Sequence, residues 1–370
     1  MLVGVPKEIK KQEGRVGLTP PAVREYVAKG HRVVVETGAG GGIGADDESY
    51  RRAGATIGAT AAEVFGLADM IVKVKEPQPS EWAQLREGQI LFTYLHLAPD
   101  PEQTRGLLES GVTAVAYETV TDGKGLPLLA PMSEVAGRLS IEAAAFASRN
   151  FNGGSGLLMG GVPGVAPARV VVLGGGVVGT HAARMAAGLG AEISILDRSI
   201  PRLRELDELF QGRVRTRYST IAAIEEEIRA ADVIIGAVLV PGASAPKLIT
   251  RDMLGLLQPR TVLVDVAIDQ GGCFETSRAT THEEPTFEVD GIIHYCVANM
   301  PGSVPKTSSH ALNNATLPYG LALAEGGLSA ILSNPALRAG LAVHRGKLTS
   351  EPVAESLGIT FTPVDVALAA

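Results

Sequence analysis

The stretch VVVLGGGVVG, residues 170–179, decides the fold. β-Branched residues lead into a cluster of glycines, and an alanine-rich helical pattern follows over Val177–Leu189 until Gly190 ends it. Gly174, Gly176 and Gly179 stand in the pattern G-x-G-x-x-G. Each glycine has a task there: a tight turn, close approach of the backbone to a pyrophosphate, and close packing of helix on strand. The helix start adds unpaired N–H groups and the positive end of a dipole, both suited to phosphates. Glycine-rich turns are common, but this one has a strand before it, a helix after it and an acidic residue, Asp197, at the end of the next strand-like run, AEISILD (191–197). That carboxylate is placed to accept hydrogen bonds from an adenosine ribose, so the segment reads as a dinucleotide-binding unit. A negative charge there also repels a 2′-phosphate, which favours NAD over NADP. Arg198, the next residue, reads as a solvated loop charge.

Working outward, DVIIGAV (232–238), TVLVDVA (261–267) and IIHYCVA (292–298) extend the same series of strands. Upstream, LVGVP (2–6), RVVVET (32–37), MIVKVK (70–75), ILFTYL (90–95) and VTAVAY (112–117) alternate with helical patterns, the first opened by Thr19-Pro20-Pro21 with the threonine as N-cap. Repeated strand–helix alternation implies parallel sheets covered by helices on both faces. From Met300 onward the pattern turns helical, over Thr316–Glu325, Leu328–Ser333 and Pro335–Gly340. The expected architecture is α/β, with two doubly wound Rossmann-like domains, parallel sheets and a cleft between them.

The composition agrees. A chain of 370 residues exceeds what one core usually supports. The net charge of -7 is spread out, with no basic stripe, which argues against nucleic acid as a partner. Two cysteines, Cys273 and Cys296, are too few for a disulfide scaffold and fit a reducing compartment. The opening MLVGVPKEI has no long apolar h-region, and the longest uncharged segment, Asn150–Ala168, is broken by glycines and prolines. The expectation is a cytoplasmic protein with no membrane partner. No cluster of side chains has metal-like spacing, so no metal is expected.

Ligands of open α/β sheets collect beyond the carboxyl ends of the strands. In the first series that position holds Arg15 after LVGVP, Lys75 at the end of MIVKVK and His96 after ILFTYL. Taken singly, each has an ordinary reading, the first two as surface charges and the third as a packed ring. Together they suit a carboxylate-binding pair beside a proton shuttle, because the planar fork of arginine takes both oxygens of a carboxylate. In the second series VDVAIDQGG carries Asp265 inside the strand and Asp269 at its exit, where it reads either as a turn cap or as a group that orients a water or amine. VANMPG (297–302) places Asn299 and Met300 at the last exit.

The blocks GVPKEIKKQEGRVGLTP, KVKEP, TYLHLA, PMSEVAGR, LGGGVVG, VDVAIDQGGCFET, THEEPTF and VANMPGSVP resemble, nearly end to end and in the same order, the bacterial alanine dehydrogenase family. The resemblance implies reversible, NAD-linked oxidative deamination of L-alanine to pyruvate and ammonia, in a homohexamer. It implies Arg15 and Lys75 as substrate-binding residues and His96 and Asp269 as catalytic ones. For the cofactor it implies Ser133, Gly174, Gly176, Val177, Val178, Gly179, Asp197, Arg202, Ser219, Val238, Leu239, Val266, Ala267, Ile268, Asp269, Arg278, Val297, Ala298, Asn299 and Met300. It further implies a discontinuous substrate domain, residues 1–127 plus 303–370, around an NAD-binding domain, 128–302. Two related readings stay open at this point: an opine- or saccharopine-type dehydrogenase, and the soluble NAD-binding portion of a proton-translocating transhydrogenase.

Overall fold

The apolar runs become strands because Val, Ile and Phe dominate them and fit a pleated, buried surface. The protein is described here by a computed structural model that covers residues 1–238 and 245–369. Its strands, in chain order, are β1 (Leu2–Val5), β2 (Arg32–Glu36), β3 (Thr56–Gly58), β4 (Met70–Val72), β5 (Ile90–Thr93), β6 (Thr113–Ala116), β7 (Arg169–Leu173), β8 (Glu192–Asp197), β9 (Arg215–Tyr218), β10 (Val233–Gly236), β11 (Val262–Asp265), β12 (Thr286–Val289), β13 (Ile292–Tyr295), β14 (Leu341–His344) and β15 (Lys347–Leu348). The chain divides into two units, one of Met1–Met132 with Gly302–Ala370 and one of Ser133–Pro301.

In the first unit the strand order is β15-β14-β6-β5-β4-β1-β2-β3. Strands β1 to β6 are parallel to their neighbours, while β14 runs antiparallel to β6 and β15 antiparallel to β14. Val3, Val5, Ile71, Leu91, Phe92 and Val115 are buried to the last per cent, as strands covered on both faces require. Each such side chain contributes about 1.5–3 kcal/mol relative to an exposed one.

The tail after Met300 departs from the all-helical expectation, because Leu341–His344 and Lys347–Leu348 are strands that extend the sheet edge. A run as short as LAVH has no helical or strand period of its own. The open edge of β6 supplies its partner, through the pairs Leu341↔Val115 and Val343↔Ala114. The helix expected over Thr316–Glu325 also starts earlier and runs Pro305–Gly326, with Pro318 inside it. An interior proline removes one helical hydrogen bond, and the helix survives because tertiary contacts bury Leu312, Asn313, Thr316 and Leu323.

That helix backs the loop after β1. The Val16 N–H donates to Ser309 Oγ (3.1 Å), the Thr19 N–H donates to Asn313 Oδ1 (2.6 Å), and Asn313 Nδ2 donates to the Gly17 carbonyl (2.9 Å). Thr19 stands at the N-cap as expected, but its side chain makes no capping hydrogen bond. Asn313 instead fixes the loop that carries Arg15.

In the second unit the order is β12-β13-β11-β10-β7-β8-β9, parallel except for β12 at the edge. The glycine turn behaves as its spacing requires. Gly174 has φ +106° and turns the chain out of β7. A Cβ on Gly179 would stand 1.8 Å from the Gly174 carbonyl oxygen, so only glycine lets the helix Val177–Gly188 start this close to the strand. No helix among the described residues is long and apolar enough to cross a membrane.

Candidate active site

The order β6-β5-β4-β1 makes four parallel strands consecutive neighbours, so their exits lie side by side along one edge of the first sheet. Four stretches of chain, far apart in sequence, place Glu118, His96, Lys75 and Arg15 beyond those exits. Lys75 and His96 share one carboxylate. Glu76 Oε2 lies 3.3 Å from Lys75 Nζ and 3.9 Å from His96 Nδ1, and Lys10 Nζ pairs with the other oxygen, Oε1. Burial alone would raise the Glu76 pKa, but Lys75 and Lys10 outweigh it and hold the carboxyl below its usual range.

Arg15, 3 % exposed, sits at the exit of β1. Its guanidinium grips the Glu13 carboxylate through both oxygens, Nε to Oε1 at 2.7 Å and Nη2 to Oε2 at 2.5 Å, and Nη1 reaches Met132 Sδ at 3.1 Å. Burial works against the charge on Arg15, and the hydrogen bond and charge of Glu13 more than restore it. Beneath these residues lies a buried trio in which Lys73, fully enclosed, meets Glu8 at 3.0 Å and Glu81 at 2.7 Å. Glu8 also accepts the Val74 and Lys75 N–H groups at 2.6 and 3.4 Å, bracing the chain on which Lys75 stands.

His96 is exposed and has φ +49°, the left-handed region in which histidine is among the better tolerated non-glycine residues. Its ring centroid lies 5.8 Å from that of Tyr94, whose hydroxyl donates to the Leu128 carbonyl at 2.5 Å. The structure thus brings Lys75 and His96 to a common carboxylate, with Arg15 one strand further along. Glu8, Glu13, Glu76 and Glu118 were absent from the sequence expectation. The strand-exit rule that selected His96 also selects Glu118, and Glu76 is the next residue after Lys75.

The second unit repeats the layout at the exits of β8, β7, β10, β11 and β13. Asp197 is oriented by two backbone groups, with Oδ2 accepting from the Gly175 N–H and Oδ1 from the Ser199 N–H, both at 2.7 Å. Arg202 lies over the glycine turn, donating to the Gly175 carbonyl and to Thr180 Oγ1, each at 2.7 Å, and pairing with Glu205. The Ser219 N–H donates to the Asp197 carbonyl, which brings the exit of β9 beside that of β8. Val238 follows β10, and Leu239 lies outside the described residues. Val266 to Asp269 follow β11, with Asp269 exposed in the short turn Ile268–Gln270. Val297 to Met300 follow β13, with Asn299 at φ +57°. Arg278 stacks on the Phe287 ring at 4.1 Å, and Ser133 opens the second unit within the helix Ala130–Ala147. Among the described residues no cluster of His, Cys, Asp and Glu is arranged to hold a metal.

The Alanine dehydrogenase/PNT N-terminal domain matches residues 4–136, and the C-terminal domain of the same family matches residues 140–351. The chain belongs to the alanine dehydrogenase/PNT family. Among its relatives, an alanine dehydrogenase of Halomonas elongata is 58% identical over 98% of both chains, and one of Mycobacterium tuberculosis is 54% identical over 98% of both. A solved L-alanine dehydrogenase superposes with a TM-score of 0.94 at 50% identity, covering 97% of this chain and 99% of that one. A transhydrogenase from Sinorhizobium meliloti superposes at 0.82 with 27% identity, covering 95% and 99%.

One residue of this family member ties the loop that carries Asp269. Asp265, fully buried at the end of β11, accepts from the Ala267, Cys273 and Phe274 N–H groups at 3.2, 3.1 and 3.3 Å and from the Ser277 hydroxyl. Burial raises its pKa, and these donors offset only part of the rise. An amide has one acceptor oxygen and would aim its NH₂ at donors. Asp265→Asn is therefore expected to destabilise the fold by about 1–3 kcal/mol, the penalty for unpaired buried polar groups, although it removes a buried charge. Urea denaturation measures this, and an Asn variant as stable as the parent would contradict it.

Proposed function

We propose that this chain is an NAD-dependent alanine dehydrogenase, converting L-alanine and water reversibly to pyruvate and ammonia. One arrangement carries the reading: His96 and Lys75 face the same buried carboxylate at neighbouring strand exits, with the Arg15 guanidinium at the next. The relatives named alanine dehydrogenase, at 54–58% identity over nearly the whole chain, support the same reading. The homohexameric assembly that the resemblance implies and the cytoplasmic location expected from the composition belong to this proposal.

The second unit has the shape a dinucleotide needs. The glycine turn leaves no room for a Cβ at Gly174 or Gly179, so the backbone at the helix start can meet a pyrophosphate directly. Asp197 is fixed beside that turn with both oxygens oriented. Gly174, Gly176, Val177, Val178 and Gly179 would cradle the phosphates, and Asp197 the ribose. Ser133, Arg202, Ser219, Val238, Leu239, Val266 to Asp269, Arg278 and Val297 to Met300 would complete the contacts. When bound, NAD accepts the hydride that leaves Cα.

The residues of the chain manage the charges and protons. Arg15 holds the substrate carboxylate, with chemistry that its grip on Glu13 already displays. Loss of hydride from Cα and of a proton from the amine leaves an iminium, which water attacks. His96 removes a proton from that water and returns one to the departing ammonia. Imidazole suits both steps because it titrates near neutral pH. Lys75 stabilises the oxygen of the carbinolamine, and Asp269 orients the amine or the water.

Offered alanine, serine, or lysine with 2-oxoglutarate, each with NAD or NADP, the protein should turn over alanine with NAD at the highest kcat/KM. A preference for lysine with 2-oxoglutarate would instead place it with saccharopine-type enzymes. His96→Ala should lower kcat by on the order of 10²–10⁴, the usual contribution of a general acid/base, while NADH still binds. Near-parental turnover by a folded His96→Ala protein would remove His96 from the chemistry. Asp197→Ser should weaken NAD binding and narrow its advantage over NADP; an unchanged ratio would refute the ribose assignment.

A further inference from the structure

Glu118 has no part in the reaction just described, yet it makes the closest contact to the backbone of His96. It follows β6 as His96 follows β5, and those strands pair in register as far as Thr93↔Ala116. Its carboxylate accepts the His96 N–H at 2.6 Å through Oε1 and the Leu95 N–H at 3.1 and 3.2 Å through its two oxygens. Leu95 is fully buried, so its N–H has no access to solvent. From the other side, Gln103 Nε2 donates to the Leu95 carbonyl at 2.7 Å and Thr104 Oγ1 to the Leu97 carbonyl at 3.1 Å. Residues 95–97 have left the sheet and joined no other element, so these side chains replace the ladder.

Two consecutive N–H groups converging on one anion form a concave anion-binding turn. Here the turn includes a left-handed histidine, a conformation that persists only where its surroundings impose it. The ring is held far less. Nδ1 is 3.9 Å from Glu76, beyond hydrogen-bonding distance, and the side chain is 44% exposed. His96 therefore combines a fixed backbone with a movable ring, which a group that takes a proton from one atom and delivers it to another requires.

We propose that Glu118 is a positioning residue for His96, its carboxylate locking the left-handed backbone that aims the imidazole. The proposal rests on the reading of His96 as the proton shuttle. A misplacement of about 1 Å can lower a rate by about 10²-fold, so Glu118→Ala should reduce kcat by about 10- to 100-fold. The KM for alanine and the affinity for NADH should stay within about twofold, since the hydrogen bonds of Glu118 go to the backbone of Leu95 and His96.

A double-mutant cycle on the full-length protein, combining Glu118→Ala with His96→Ala, separates positioning from general support of the fold. If Glu118 acts through His96, its removal should change the residual kcat of the His96→Ala protein by less than about twofold. An equal loss in both backgrounds, or no loss when His96 is present, would overturn the proposal while leaving the role of His96 intact. Near-parental activity of His96→Ala alone would end both. If Glu118→Ala melts below the assay temperature, Glu118→Gln takes its place. It keeps the size and one acceptor oxygen, so the expected kcat loss is smaller, and the cycle decides by whether that loss disappears in the His96→Ala background; a loss of equal size in both backgrounds, or a Gln variant that matches the parent at every pH while its melting temperature falls, would overturn the proposal.

Discussion

Where a strand leaves its sheet, its backbone N–H groups lose their ladder partners, and buried ones must find acceptors. In this protein carboxylates take that part at one exit after another. Glu8 accepts from Val74 and Lys75, Glu118 from Leu95 and His96, Asp197 from Gly175 and Ser199, and Asp265 from Ala267, Cys273 and Phe274. In each case the acceptor lies within three residues of a strand end, and the segment it ties carries or adjoins a candidate functional group. Parallel pairing is what allows this, because it gathers the exits of a unit on one edge where each can be tied by its neighbour.

The arrangement concentrates charge under cover, which is costly unless every charge has a partner. An isolated ion buried in protein loses several kcal/mol of solvation, and breaking a buried pair typically costs about 3–5 kcal/mol. The first unit meets this with alternation: Lys73 between Glu8 and Glu81, Glu76 between Lys10 and Lys75, Arg15 against Glu13. The result is a set of cations held at a strand edge, each against a carboxylate of its own unit. On the proposed reading, a substrate carboxylate at Arg15 would have to share or replace its pair with Glu13.

The second unit works with less charge and more backbone. Its glycine turn presents N–H groups and a helix start where a side chain would stand in the way. Arg202, the cation beside that turn, is engaged by Gly175, Thr180 and Glu205. Its guanidinium holds the turn from the side at which, on the proposed reading, the cofactor would lie. His294 is structural: burial lowers its pKa, and it is bonded to Thr276 and stacked on Phe287.

By itself the sequence determined the alternation of strand and helix in both units, the place of the glycine turn, and Arg15, Lys75, His96 and Asp197 as residues at strand ends. These are local facts, carried by periodicity, by glycine spacing and by polar residues that follow apolar runs. It did not determine β14 and β15, since a four-residue run acquires its conformation from the edge of β6. Nor did it determine the helix through Pro318, or the roles of Glu13 and Asn313, which depend on contacts far apart in the chain. Glu118 is the clearest case. In the sequence it is one acidic residue in YETV, twenty-two positions past His96. Only the register of β5 against β6 puts its carboxylate under the backbone of His96, because a hydrogen bond depends on the position of two atoms and a sequence records only their order along the chain.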